Sequence, residues 1–168
     1  MHAIAAIEDL FSRGREIEKL IEGLPDDRLY QPPYPSVGWQ VWRMGRALDY
    51  NMSPLLGREQ KWLADGWHAR FGMAADPRDF GPGFPKPAND IVRTFRAPSV
   101  GLLLEYFNAC HGMVGEYLGT IGDDDLDTEI DAGRYATKVT IGIRLVSVGV
   151  SLAQSVGDVR YRLWVAPD

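Results

Sequence analysis

Two serines, Ser151 and Ser155, stand four residues apart in the stretch VSLAQSVGDVRY near the end of the chain. On a helix that spacing puts both side chains on one face, where two histidines could share a metal ion. Serine cannot take that role, so the question is what two hydroxyls do there. Asp158, three residues further on, extends the same face with a carboxylate. Other groups able to do chemistry are few. The chain has three histidines, His2, His68 and His111, and one cysteine, Cys110. Tyr50 and His111 are the remaining proton-transfer candidates, though neither has a partner visible in sequence. An isolated histidine on a core-facing helix is more often a hydrogen-bonded packing residue than a ligand. Cys110 is a weak nucleophile, since it falls on an apolar stripe with little nearby to lower its pKa.

Composition limits what these residues can serve. A chain of 168 residues with 45% hydrophobic content fills one core, so a single domain spanning 1–168 is expected. The net charge of -5, with 18 basic residues scattered among 23 acidic ones, argues against a nucleic-acid partner. A lone cysteine excludes an intrachain disulfide and any cysteine-clustered zinc or iron-sulfur site, and fits a reducing cytoplasm. With no cationic start before an apolar run, and no apolar segment near the roughly 18 residues needed to span a bilayer, the expectation is a soluble, cytoplasmic protein without a membrane partner. Five tryptophans and seven tyrosines are many for this size. Such rings usually fill cores, and they also line pockets for organic ligands.

The elements that must position these residues read mainly as helices. Residues 3 to 23 carry Ile4, Ile7, Phe11, Ile17, Leu20 and Ile21 between charges, an amphipathic pattern stopped by Gly23 and Pro25. After QPPYPS, Ser36 is a natural N-cap for a second helix, VGWQVWRMGRALDYNM, ended by Ser53-Pro54. In it Trp39, Trp42, Gly45, Arg46 and Asp49 share one side, Val41, Met44 and Leu48 another, while Arg43, Ala47 and Tyr50 form a row of their own. Residues 58 to 72 predict a short helix carrying Trp62, Leu63, Trp67 and Phe71, and PRDFGPGFPKPAND after it is too rich in proline and glycine for regular structure. A connection this long can join two parallel helices of a bundle. Pro98-Ser99 opens a third helix over VGLLLEYFNACHGMVGEYLGTI, closed by the acidic DDDLD turn. The last segment is ambiguous. Val139 to Arg144 alternates with period two and is β-branched, a strand signal, whereas Leu145, Gly149, Leu152, Val156, Val159 and Leu163 recur at helical intervals with Thr140 as an early cap.

GREQKWLADGWHARFGM, FRAPSVGLLLEYFNACHGMVGEYLGTIGDDDLD and VTIGIRLVSVGVSLAQSVGDVRY together resemble the DinB-like (damage-inducible B) superfamily, most closely its actinobacterial branch of mycothiol-dependent S-transferases. Each motif is soft, being mainly aromatic and aliphatic spacing, but their order covers nearly the whole chain. The resemblance implies an all-α fold, a four-helix bundle with a long crossover between helices 2 and 3, and it settles the last segment as helix. Many members of that superfamily hold zinc or nickel through one histidine of the second helix and two ligands four apart on the fourth.

Position by position, those ligands are absent here. Where the family pattern resembles GW-x-x-W-H, this chain reads GWQVWR, so Arg43 stands at the first ligand position, and Ser151 and Ser155 fall on the other two. The amide usual after them is replaced by Asp158. None of the three ligand positions holds a useful metal ligand, and an arginine repels a cation. The resemblance therefore implies a central site without bound metal, in which Arg43, Ser151, Ser155 and Asp158 face one space. In one reading Arg43 and Asp158 form an inert ion pair. In the other the guanidinium and hydroxyls bind an acidic oxygen of a small, anionic molecule, with Trp39, Tyr50, Trp62, Trp67 and His111 contributing to the binding site. Function would then be small-molecule binding, or a metal-independent transfer, isomerisation or cyclisation in a specialised pathway. No cofactor is expected beyond a low-molecular-weight thiol such as mycothiol, which the resemblance allows. The alternatives are a non-catalytic homodimer with a degenerate site, and a divalent-metal-dependent S-transferase using His68 or His111 with Asp49 or Asp158.

Overall fold

A computed structural model of the chain describes residues 2–81, 83–131 and 138–165. Among the described residues the fold is all-α apart from one two-residue β-ladder. The N-terminal amphipathic stripe forms α1 (Ala3–Ser12), a 3-10 turn (Arg13–Arg15) and α2 (Glu16–Ile21), so the single helix expected over residues 3 to 23 is interrupted. The 3-10 turn is also a point of close packing. Gly14 lies so close to the last helix that a Cβ there would stand 2.2 Å from Leu152 Cδ2. A short α3 (Asp26–Tyr30) follows, and Ser36 then caps α4 (Val37–Leu55), accepting the Trp39 amide at 3.3 Å. Helix α4 continues through Ser53-Pro54, where proline removes one bond of the ladder, and ends at the next residue.

Among its described residues the crossover contains three short helices, α5 (Lys61–Ala64), α6 (Trp67–Arg70) and α7 (Asn89–Thr94). The helix expected over 58 to 72 is thus two single turns, separated by Gly66 at φ +69°. Ser99 caps α8 (Val100–Leu118) at 3.0 Å from the Leu102 amide. The ambiguous last segment carries both of its signals. Val139–Thr140 (β2) pairs antiparallel with Glu129–Ile130 (β1), and the chain turns at once into α9 (Ile141–Val165), with Thr140 Oγ1 accepting the Ile143 amide at 3.3 Å.

Side-chain pairs fix the helix directions. Arg46 meets Tyr106, and Ser53 meets Met113, so α4 and α8 run parallel, as the long crossover allows. Asn51 meets Arg144, and Gln40 meets Asp158, so α4 and α9 run antiparallel. Helix α1 lies along α9, with Gly149 against Leu10 and Gly14 against Leu152, and touches α8 through His111 and Phe11. The core between them holds Phe11, Ile17, Leu48, Phe107, Leu145 and Val159, all at most 1% exposed. Among the described residues no helix is long and apolar enough to cross a membrane.

Candidate functional site: a polar-walled cavity between α4 and α9

Because α4 and α9 are antiparallel, a row of side chains from each faces the other along their shared groove. From α4 come Gln40, Arg43, Met44, Ala47, Leu48 and Asn51; from α9 come Arg144, Ser147, Val148, Ser151, Leu152, Gln154, Ser155 and Asp158. They line a cavity of about 520 Å³, a size that suits a small organic ligand. Hydrogen bonds tie the helices together at both ends. At one, Arg144 Nη1 donates to Asn51 Oδ1 at 3.3 Å, and Nη2 donates to the Asp131 carbonyl at 3.3 Å. At the other, Gln40 Nε2 donates to Asp158 Oδ2 at 3.1 Å, and Arg162 Nε donates to the same oxygen at 2.7 Å. Between these ends the floor is apolar, formed by Met44, Leu48, Val148 and Leu152, and the walls are hydroxyls and amides.

The crossover supplies a further wall through Asp79. Its placement starts from a buried charge. Arg46 is fully buried, and its Nη2 donates to the carbonyls of Asp76 and Arg78 at 2.9 and 3.0 Å and to Gln60 Oε1 at 2.9 Å. Asp49, also fully buried, lies 3.4 Å from Arg46 Nη1 and accepts from the amides of Lys61 and Trp62 at 2.8 and 2.7 Å, from Ser53 Oγ at 3.0 Å and from the Tyr106 hydroxyl at 3.0 Å. A buried ion pair is tolerable when most of its remaining donors and acceptors are satisfied in this way, and here, among the described residues, Arg46 Nε is the one guanidinium nitrogen left without a partner. The network clips the start of the crossover and residues 76–78 to α4. The next residues make a sharp elbow: Asp79 accepts the Gly81 amide at 2.8 Å, and Phe80 adopts φ 57°, the left-handed region a bulky residue rarely enters. The Phe80 ring, packed at 5.8 and 5.5 Å from Trp39 and Trp42, holds that conformation. Gly81 then approaches Arg43 so closely that a Cβ would lie 3.0 Å from Nη1 and 3.2 Å from Asp79 Oδ1. Arg43 and Asp79 thus converge over Gly81 at the cavity wall.

Of the site residues expected from sequence, Arg43, Ser151, Ser155 and Asp158 all line this one cavity. One of the two readings pairs Arg43 with Asp158. Among the described residues Asp158 is engaged by Gln40 and Arg162, because α9 carries Arg162 one turn along on the same face. Ser155 Oγ donates to its own helix, to the Ser151 carbonyl at 2.9 Å. The expected aromatic lining lies elsewhere. Trp39, Trp62 and Trp67 are buried in the core beneath the crossover, where Trp62 stacks with Tyr106 at 5.4 Å and lies under the Arg46 guanidinium at 4.7 Å. Tyr50 packs edge-on to Phe84 at 5.4 Å, and His111 bonds through Nε2 to the Phe11 carbonyl at 2.9 Å. Burial lowers the His111 pKa. Burial likewise pushes the Cys110 thiol and the Tyr106 hydroxyl well above their ordinary ranges, leaving both protonated. Sequence reading missed Arg144, Asn51, Gln40 and Asp79. Arg144 was within reach, since it stands seven residues before Ser151 and so on the same helical row. Asp79 carried no such signal, because only the tertiary clip brings the crossover to the cavity.

The zinc or nickel that many members of the resembled superfamily hold does not suit the residues at these positions. At the three corresponding positions stand a guanidinium and two hydroxyls, and among the described residues no three His, Cys, Asp or Glu side chains converge. His68 lies edge-on to Trp62 at 6.4 Å, His111 is bonded to the α1 backbone, and Asp49 is occupied by its buried network. No family model and no curated protein sequence matches the chain. A crystal structure of a conserved protein from Enterococcus faecalis is similar, with a TM-score of 0.76 over 96% of this chain and 92% of that one. At 22% identity the likeness is one of fold.

Proposed function

We propose that the protein binds a small organic molecule in the α4–α9 cavity, on a DinB-like, mycothiol-transferase-like four-helix bundle whose metal centre has been replaced by Arg43, Ser151, Ser155 and Asp158. The bundle reading is supported by the ring of contacts among α1/α2, α4, α8 and α9 and by the parallel α4–α8 pair joined by the crossover. One observation carries the function: four polar side chains from two helices, nominated by spacing and resemblance, face a single cavity of about 520 Å³. Such a site can orient a ligand by hydrogen bonds and charge, and Asp158 can accept a proton-bearing group. Any reaction there would be one that needs positioning and proton transfer, such as a thiol transfer, an isomerisation or a cyclisation. The strained Phe80 elbow beside Arg43 is the kind of feature that clusters at ligand sites.

The test is a thermal-shift screen of small organic acids and low-molecular-weight thiols, mycothiol included. A binder at a hundred times its Kd adds about 2.7 kcal/mol, which in a chain of this length raises Tm by roughly 5–10 °C. Arg43→Ala should fold normally and lose that shift. A wild type that responds to no compound, or an Arg43→Ala protein that responds fully, would sink the proposal.

A second reading, a homodimer, is favoured by the outward face of α9. Ile143, Val146, Val150, Tyr161 and Trp164 lie along one side of the helix at 56, 45, 41, 60 and 79% exposure. They offer roughly 500 Å² of apolar surface, over half of the roughly 800 Å² per partner in a standard interface, so the occupant proposed is α9 of a second copy. Light scattering would then give twice the chain mass, falling to one in a Tyr161→Ala, Trp164→Ala variant; a monomeric wild type rejects this reading.

A further inference from the structure

The serine row and the apolar stripe of α9 are neighbours on the helix surface. At about 100° per residue, the cavity-lining Gln154 and Ser147 lie only about 20° and 40° round the helix from Ile143 and Tyr161, at the edge of the stripe. Ser147, Ser151 and Gln154 are themselves exposed, so the cavity opens to solvent along its border with the stripe. The stripe spans about 60° of the helix, whereas a packed helix face is about 100° wide, so a helix laid on the stripe overlaps the rim of the cavity. The apolar area of the stripe also falls roughly 300 Å² short of a standard interface, and the rim is the surface next to it.

The stripe fits a second copy of itself. Gly157 lies within it, exposed, and a Cβ there would meet nothing within 4 Å. Glycine is unfavourable inside a helix, and contacts within the chain give no reason for it here. A two-fold axis passing between Ala153 and Gln154, with the two helices antiparallel, sets Ile143 against the partner's Trp164 and Val146 against the partner's Tyr161. The same axis sets Val150 into the gap at the partner's Gly157. A parallel pair would face glycine with glycine, leave that gap empty and align the helix dipoles unfavourably. In the antiparallel pair both cavity mouths lie on one side of the seam, and the partner's Tyr161 stands beside Ser147.

Resting on the cavity and homodimer readings above, we infer that the site is shared between two copies: α9 of the partner subunit lies across the mouth of the α4–α9 cavity and contributes Tyr161 as an aromatic wall. Among the described residues the cavity's own lining has no aromatic side chain. A phenol ring supplies what that lining lacks, a broad apolar face with a polar tip. Association of the copies then governs access to the cavity.

Single cysteines introduced at exposed positions of the full chain test this, since Cys110 is buried. Light scattering gives the mass across a range of concentrations, and iodoacetamide gives the reactivity of each thiol. In the dimer, Ser151→Cys should react about tenfold or more slowly than in the dilute monomer, or in the monomer made by Tyr161→Ala with Trp164→Ala. Asn108→Cys, on the exposed face of α8, should react alike in both. Under mild oxidation Gln154→Cys, beside the axis, should join two copies by a disulfide. Ile143→Cys should not, because about 30 Å of helix separates residue 143 of one copy from that of the other. If Ser151→Cys does not fold, Ser147→Cys on the same rim carries the labelling test. A dimer in which these thiols react as in the monomer, or in which Ile143→Cys cross-links to itself, overturns the inference and leaves the homodimer reading standing. A wild type that is monomeric at every concentration rejects that reading and the inference with it. The thermal-shift screen decides ligand binding separately.

Discussion

Removing the Asp49 carboxylate should be among the most damaging single changes in this protein. Asp49 is fully buried and accepts from two backbone amides, a serine hydroxyl and a tyrosine hydroxyl, besides facing the Arg46 guanidinium. Asp49→Ala leaves Arg46 as a buried charge without its carboxylate and leaves four donors without an acceptor. Losing one partner of a buried ion pair costs about 3–5 kcal/mol, and each stranded donor about 1–3 kcal/mol. These losses share one pocket and do not add, so a total of about 4–6 kcal/mol is expected. Against a domain stability of roughly 5–15 kcal/mol, Tm should fall by about 10–20 °C. Urea unfolding followed by tryptophan fluorescence gives the free energy. Trp62 accepts the Arg46 cation on its ring and donates its amide to Asp49, so its emission reports the network directly. A double-mutant cycle with Arg46→Met separates the pair from its surroundings, and a coupling of about 2 kcal/mol or more is expected. Because Arg46 also holds the carbonyls of Asp76 and Arg78, amide exchange at residues 76–81 should quicken in Asp49→Ala before the rest of the fold opens. A stability loss below about 1 kcal/mol would refute the reasoning, since it would mean that the charges are not desolvated or not coupled.

Further predictions concern packing and titration. Gly38→Ala puts a Cβ 2.2 Å from Cε1 of the buried Tyr30 ring, and should cost about 1–3 kcal/mol in the same unfolding assay; a neutral result contradicts the close approach. His111 has its pKa lowered mainly by burial, so the unfolded chain binds its proton more readily than the folded one. Stability should therefore rise as pH increases from the lowered folded value toward about 6.5 and level off above it, a slope that His111→Gln removes. Asp76 and Asp123, held below their ordinary range chiefly by hydrogen bonds from Arg78 and from the Ile4 amide, act only at lower pH and leave that window clear. Cys110, buried with its thiol pKa pushed up by desolvation, should resist a thiol reagent in the native protein and react at the rate of global unfolding. Rapid stoichiometric labelling of the folded chain would contradict that placement.

Sequence made the long helices legible because each carries an apolar stripe and two carry a serine N-cap, at Ser36 and Ser99. It was less informative where tertiary contacts override local preference. The N-terminal stripe is continuous by periodicity, yet the helix tightens to a 3-10 turn at Arg13–Arg15, where Leu152 packs against Gly14. Val139 and Thr140 were ambiguous for a physical reason, since they do pair as a strand before α9 begins at the next residue. For the site, the i, i+4 serines and Asp158 marked one face of α9, and the comparison with Arg43 named the facing helix. Trp39, Trp62 and Trp67 were indistinguishable in sequence from pocket aromatics, because an indole satisfies a core and a ligand site by the same apolar contact. Asp79 was invisible, because tertiary contacts bring it to the cavity, among them the carbonyls that Arg46 holds and the packing of Phe80 on Trp39 and Trp42.

The central claim is that the space between α4 and α9 is a ligand site. Ala47 lines it at mid-length and is half-buried, so Ala47→Phe fills the middle of the cavity while leaving Arg43, Arg144, Ser151, Ser155 and Asp158 in place. The measurement is the affinity, by calorimetry, of the tightest binder of the wild type for this variant. The prediction is loss of binding by about a hundredfold or more with Tm unchanged or raised, as expected when a ligand is excluded from a cavity that a side chain now occupies. Undiminished affinity in a folded Ala47→Phe protein would place the ligand elsewhere and contradict the account.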